Sequence, residues 1–269
     1  MSNARLDAEV LLRAILKKDR AWLLAHIHDA LDEEGQKRFE RTVGRRARRE
    51  PLQYITGCQE FWGLEFIVSP DVLIPRPETE LIIESVLSRL PDKNGSIRLL
   101  DLCTGSGCIA VSLAKELPAA QLFAIDKSPA ALAIARNNAQ QHGVSNRIRF
   151  FEGDLFGPIE ELDIHGQVDM IVTNPPYVSL AEQQSLQPEV GKYEPAMALF
   201  AGPEGTELQK LIIDGAPGYL KSNGMLVMEM GIGQAERLMN IISMDERYRS
   251  SAVIKDLAGI DRVIIACKK

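Results

Sequence analysis

The chain reads as α/β, a mostly parallel seven-stranded sheet behind a small helical domain, and three observations lead there. From residue 97 onward, short apolar runs alternate with helical patterns, the order that builds a parallel sheet covered on both faces. Residues 4–50 carry only helix-spaced apolar positions. Between them, residues 59–79 hold two β-type runs and then two prolines separated by one residue. The expected division is a helical domain over 1–58, a hairpin linker over 59–79 and an α/β domain over 80–269. At 269 residues, 45% hydrophobic and 25% charged, the chain can bury a substantial core.

The first helices follow from Leu6, Val10, Leu11, Ala14 and Ile15, then Trp22, Leu23, Leu24 and Ile27, then Phe39 and Val43. The last helix carries Arg41, Arg45, Arg46, Arg48 and Arg49, a solvated face or a contact surface for an acidic partner or RNA. Phe61-Trp62-Gly63 followed by Leu64 to Val68 reads as a short hairpin. Pro75-Arg76-Pro77-Glu78-Thr79-Glu80 is stiff, and Thr79 or Glu78 is placed to cap a helix beginning near Glu80 with Leu81, Ile82, Val86 and Leu87. Arg76, held between prolines, points toward a cleft or toward solvent. Strands are expected over 97–102, 121–125, 147–152, 168–173 and 225–230, with a final antiparallel pair, 252–255 and 262–267, around Gly259.

Charge and side-chain chemistry narrow the function. Residues 1–58 hold 12 Lys/Arg against 9 Asp/Glu, and the remainder 19 against 28. An acidic α/β portion argues against gripping a long nucleic acid by its phosphates and suits a cationic cofactor. Cys58, Cys103, Cys108 and Cys267 form no Cys-x-x-Cys pair, and His26, His28, His142 and His165 no metal-binding spacing, so free thiols and no bound metal are expected. No apolar run reaches the length that spans a bilayer, and the first seven residues lack a signal peptide's apolar core. The expectation is a cytoplasmic protein with no membrane partner.

Cys103-Thr104-Gly105-Ser106-Gly107 lies where the first sheet strand ends and a helix begins. Gly105 and Gly107 let a ligand approach the main chain closely. Asp126 ends the second strand, where a carboxylate can accept from both hydroxyls of a ribose. Gly105 to Ala110 also fits the G-x-G-x-x-A pattern of NAD sites. Two further polar tips, Gly153-Asp154-Leu155-Phe156 and Asn174-Pro175-Pro176-Tyr177, shift the balance toward S-adenosylmethionine: Asp154 would approach the adenine amine, Leu155 the ring and Asn174 the sulfonium methyl. Each aspartate taken singly also reads as a helix cap or turn former.

The tetrapeptide says most. Two consecutive prolines remove two backbone donors and leave nearby carbonyls free to accept. Asn174 adds an amide and Tyr177 an aromatic face. Such a tip suits a planar NH2 on an sp2 carbon, as in amides and nucleobase amines; the alternative is a proline-stiffened turn.

Taken with Pro51-Leu52-Gln53-Tyr54-Ile55-Thr56-Gly57, Phe61-Trp62-Gly63, Ile74 to Glu80 and Tyr193-Glu194-Pro195, the chain resembles the bacterial protein-(glutamine) N-methyltransferases of HemK (PrmC) type. The resemblance runs nearly end to end. It implies a Rossmann-like class I S-adenosylmethionine-dependent methyltransferase fold, with the helical domain recognising class I peptide chain release factors as substrate. S-adenosyl-L-methionine is the implied cofactor and S-adenosyl-L-homocysteine the product, with no direct need of nucleic acid and a monomeric chain. Cofactor residues carry over as Cys103, Thr104, Gly105, Ser106, Gly107, Asp126, Leu155 and Asn174, which the strand-tip reading joins with Asp154. Asn174, Pro175, Pro176 and Tyr177 carry over as the catalytic tip that holds the glutamine of a Gly-Gly-Gln motif. Cys103 departs from the family, which usually has glycine there. The rival reading is an adenine or cytosine amino-methyltransferase acting on DNA or RNA, since the same tip can hold a flipped base.

Overall fold

The computed structural model describes residues 4–90 and 92–269; Met1 to Asn3, where the first seven residues and the helical domain begin, and Pro91 lie outside the described residues. Four helices come first: α1 (Ala4–Leu16), α2 (Arg20–Ala25), α3 (Glu33–Ala47) and α4 (Leu52–Thr56). Asp19 and Asp32 cap α2 and α3, accepting from Trp22 N and Gly35 N at 2.7 Å, which satisfies otherwise orphaned donors. Ile27 falls beyond α2 and is 57% exposed, so the helical spacing there overran the helix. The short α4 was not anticipated; it stops at Gly57, whose φ of 80° needs no Cβ. Its buried Tyr54 donates to Val72 O at 2.6 Å, fastening the helical region to the segment that follows.

Three arginines at the end of α3 are paired within the chain. Arg46 reaches Asp7 at 2.7 Å and Glu189 at 3.1 Å, and Arg49 reaches Glu189 at 2.6 Å. Arg45 pairs with Glu50 at 2.5 Å, and Tyr193 Oη donates to Arg48 O at 2.6 Å. Arg46 and Arg49 thus form a seam against the α/β body, while Arg41 and Arg48 stay exposed. Charge-assisted bonds of this kind contribute about 1.5–3 kcal/mol each before screening. Glu189→Ala is expected to lower the melting midpoint by about 2–8 °C; an unchanged midpoint in a thermal melt would deny the seam any docking energy.

The hairpin β1 (Cys58–Phe61) and β2 (Leu64–Ile67) turns on Trp62 and Gly63. Both have positive φ, 53° and 68°, the backbone of a two-residue turn whose twist matches the strands. Phe61 and Phe66 are buried, and Asn138 brackets Ile67, donating to its O at 3.0 Å and accepting from its N at 2.7 Å.

The α/β region continues with α5 (Glu80–Leu87), β3 (Arg98–Leu102), α6 (Cys108–Glu116), β4 (Gln121–Asp126), α7 (Pro129–Gln141), β5 (Ile148–Glu152) and β6 (Val168–Thr173). A small parallel pair that the sequence pattern missed, β7 (Val178–Ser179) and β8 (Phe200–Gly202), surrounds α8 (Pro188–Tyr193) and α9 (Ala196–Leu199). The chain ends with α10 (Glu207–Tyr219), β9 (Leu220–Glu229), α11 (Ala235–Met244), β10 (Tyr248–Lys255) and β11 (Asp261–Lys268). All seven expected sheet strands are present, in the order β10-β11-β9-β6-β3-β4-β5. The five from β5 to β9 run parallel and β11 is antiparallel to both its neighbours. β9 starts at Leu220 and β10 at Tyr248, earlier than expected, because exposed polar residues such as Lys221, Ser222 and Arg249 lead both in. Pairing with neighbours, not apolar content, extends them.

Successive residues of β3 enter opposite layers. Leu99 packs with Ile109, Leu113 and Ile83, and Leu100 with Ile171, Ile212 and Leu226. Leu122 and Ala124 join the first layer, Phe123 and Ile125 the second, as strand geometry requires of a sheet buried on both faces. From β3 the chain steps outward to β4 and β5, then returns to lay β6 on the other side of β3. That reversal opens a crevice at the carboxyl ends of β3 and β6, where open parallel sheets bind ligands.

Candidate active site

Leu102 pairs with Thr173 across β3 and β6, and Thr173 Oγ1 donates to Leu102 O at 2.7 Å. The next residues, Cys103 and Asn174, therefore start two loops side by side. In the first loop Thr104 N donates to Ile125 O at 2.9 Å and Gly105 N to Asp126 Oδ2 at 2.8 Å. A Cβ at Gly105 would meet nothing within 4 Å, whereas one at Gly107 would meet Ala135 Cβ at 3.0 Å. Gly105 thus leaves open space in front of the backbone, while Gly107 lets α6 and α7 approach.

A cavity of about 420 Å³ lies over these loops, within the range of small-molecule sites. Cys103, Thr104, Gly105, Ser106 and Asp126 form one part of its wall. Asp154, Leu155, Asn174 and Pro176 form another. Three of the expected residues do not reach it. Gly107 is turned into the helix packing, Pro175 is buried behind the tip, and Tyr177 faces a second cleft with Arg76 and Arg262. The flat apolar surface beside the tip comes instead from Pro176 and Phe200.

Asp126 Oδ1 accepts from Ser128 N at 2.9 Å, so each carboxylate oxygen holds one backbone donor and keeps a free lone pair. Burial raises its pKa, opposed by hydrogen bonds from the backbone of Ser128, Gly105 and Lys127. Asp154 is exposed and paired with Lys127 at 2.8 Å. Ser106 belongs to the cavity wall, but its Oγ is buried, beside the Cys108 thiol. An open glycine backbone and a carboxylate in the cavity wall fit a polar, ribose-bearing ligand such as S-adenosylmethionine. Cys103 sits at φ 58°, a left-handed conformation that costs an L-residue about 1–2 kcal/mol and explains why glycine is the easier choice there. Burial, and after it the carboxylates of Asp126, Asp101 and Asp154, raise the pKa of its thiol, which keeps it a protonated wall residue with no nucleophilic role.

The Asn174 side chain is held from behind. Its Nδ2 donates to Thr79 Oγ1 at 3.1 Å, and Thr79 Oγ1 donates to Glu229 Oε2 at 2.6 Å. Thr79 therefore does not cap α5; its hydroxyl is spent on this chain. Tyr177 Oη donates to the other oxygen of Glu229 at 3.2 Å. Gln234 pins the loop's far side, donating to Tyr177 O at 2.9 Å. Asn174 Oδ1 and the Pro175 carbonyl accept nothing from the described residues. Arg76 is paired at 2.5 Å with the buried Glu194 and lines the second cleft, so of its two expected placements it takes the cleft, part-exposed. Sequence reasoning missed Thr79 as a site residue, and missed Glu229 and Gln234. The available signal was a glutamate in the apolar run Leu226 to Met230, at a strand's carboxyl end like Asp101 and Asp126.

A seven-stranded sheet with an antiparallel edge strand, a glycine loop after its first strand, an acidic residue after its second and an Asn-Pro-Pro-Tyr tip after its fourth define a class I S-adenosylmethionine-dependent methyltransferase. Comparison with known proteins agrees. Over 80% of this chain and 79% of that one, the fold is similar to the catalytic domain of hMettl16, solved in complex with MAT2A 3'UTR hairpin 6 (TM-score 0.61, 17% identity). It is also similar to a Pyrococcus furiosus methyltransferase over 84% of this chain and 98% of that one (TM-score 0.56, 19% identity). Residues 1–57 match the PrmC N-terminal domain and residues 79–190 the methyltransferase small domain. The chain is 46% identical to the release factor glutamine methyltransferase of Geobacter sulfurreducens, over 98% of this chain and 89% of that protein. To that of Coxiella burnetii it is 43% identical, over 97% and 91%. The chain belongs to the release factor glutamine methyltransferase family.

Proposed function

We propose that the cavity holds S-adenosylmethionine along the glycine loop, with Asp126 at its ribose and Leu155 against its adenine. The substrate is the glutamine of a class I release factor's Gly-Gly-Gln motif, presented at the Asn174 tip in the cytoplasm. The observation that carries this reading is Asn174 Oδ1, a free acceptor on a residue of the cavity wall, followed in the chain by the Pro175 carbonyl, which also accepts nothing from the described residues. An amide nitrogen is a poor nucleophile because its lone pair is delocalised into the carbonyl, so the site must align it. Two acceptors for its two hydrogens orient the nitrogen, and positioning of this kind contributes up to about 7–11 kcal/mol in favourable cases. The same acceptors interact more strongly as the nitrogen becomes positive, which favours the transition state over the ground state. Bound S-adenosylmethionine supplies an electrophilic methyl group. The product nitrogen releases its extra proton to water, so no histidine or lysine base is required.

Incubation with purified release factor and radiolabelled S-adenosylmethionine, beside parallel reactions with DNA and RNA, tests the substrate. Label on the release factor, located by mass spectrometry at the Gly-Gly-Gln glutamine, is expected. Label on nucleic acid alone would replace the glutamine with a base amine.

A further inference from the structure

Two carboxyl oxygens deep in the fold accept from two hydroxyls, and one of these, Thr79 Oγ1, is the contact that holds the Asn174 amide. A side-chain amide has a donor end and an acceptor end of nearly equal size, so shape alone does not choose which faces the cavity. Polarity does. While Glu229 is a carboxylate, it can only accept, so the Thr79 proton must point to it and only a lone pair of Oγ1 faces Asn174. Asn174 then has to offer Nδ2 to Thr79, which turns Oδ1 toward the substrate.

We infer that Glu229, acting through Thr79, is the positioning residue that fixes the orientation of the Asn174 amide. The glutamate does not reach the cavity itself; its influence passes along two hydrogen bonds. A reversed Asn174 would present N–H to the N–H2 of the substrate amide, a repulsive pairing of donors. The inference rests on the proposed role of Asn174 and extends it to a residue that touches neither ligand.

The arrangement carries a proton dependence. Burial pushes the Glu229 carboxyl up to about 7; the hydrogen bonds from Thr79 and Tyr177 and the charge of Arg262 on β11 oppose this, and the charge of Glu78 adds to it. Once protonated, Glu229 can donate to Thr79, freeing the Thr79 proton for Asn174 Oδ1. The correct orientation is therefore enforced above pH 7 and released below it.

Side-chain amide signals of Asn174, assigned by their loss in Asn174→Ala, report the orientation by NMR without any substrate. They are expected to titrate near pH 7 in the unmodified chain, to stop titrating in Glu229→Gln, and to exchange faster with water in Thr79→Val. In parallel, kcat on release factor should rise through the same pH range while KM for S-adenosylmethionine stays flat. Thr79→Ser should keep most of kcat, and Thr79→Val should lose about 10-fold to 100-fold. An Asn174 amide pair that behaves identically in the unmodified chain and in Glu229→Gln across the whole pH range overturns the inference. So does a folded Thr79→Val with full kcat. Failure to methylate release factor would strike the substrate assignment alone, because the NMR titration does not depend on it.

Discussion

Asn174→Ala is expected to give a folded chain that binds S-adenosylmethionine within about threefold of the parent affinity and has lost about 10²-fold to 10³-fold in kcat. The asymmetry follows from where the residue stands. The proposed cofactor contacts come from Cys103 to Ser106, Asp126 and Leu155, whereas Asn174 contributes a single free oxygen to the cavity wall. Removing that oxygen leaves one of the substrate's amide hydrogens unpaired and lets the amide rotate away from the line of transfer. The loss is one of alignment and of charge stabilisation in the transition state, so it falls on kcat and not on cofactor affinity. Calorimetry with S-adenosylmethionine and single-turnover kinetics on release factor separate the two. Parent-like turnover in this variant would remove the alignment role and with it the proposed mechanism.

Asp126→Ala is expected to weaken S-adenosylmethionine binding about 10²-fold. The carboxylate has two jobs at once: it braces the glycine loop through Gly105 N and the turn into α7 through Ser128 N, and its remaining lone pairs face the cavity. A hydrogen bond to a charged group is worth about 1.5–3 kcal/mol, and two to the ribose at the lower bound, about 3 kcal/mol, account for the predicted loss at 1.4 kcal/mol per factor of ten. Asp126→Asn, which keeps one acceptor and replaces the other by a donor, should fall between. Calorimetry reads both variants, and an unchanged dissociation constant would release Asp126 from the ribose. The parent fold should persist in either case, because the loop is also tied by Thr104 N to Ile125 O and by Thr104 Oγ1 to Asp101.

Much of this was legible from residues alone. Parallel strands buried on both faces are written as continuous apolar runs, so 168–173 was readable to the residue, and so was the glycine loop after β3. Residues at the tips of such strands inherit that legibility, which is why Asp126, Leu155 and Asn174, all three in the cavity wall, could be named without coordinates. Legibility faded where structure is made by contact instead of pattern. The entry to β9 is polar and exposed, α4 spans five residues, and β7 and β8 pair over two or three. Arg46 and Arg49 show the same limit: a basic helix face carries no mark of whether its partner is solvent, another molecule or, as here, Asp7 and Glu189 of the same chain.

By itself, the order of residues determined the strand and helix alternation, the glycine loop after β3 and the donor-free proline tip after β6, because each is a local consequence of side-chain and backbone chemistry. Only the tertiary structure decided that β6 lies against β3, that Tyr177 faces away from the cavity, and that Thr79 and Glu229, 150 residues apart in sequence, stand in line behind Asn174. Those decisions depend on burial and pairing between distant segments, where a carboxyl group in an apolar strand gains its meaning from the hydroxyls that the fold brings to it.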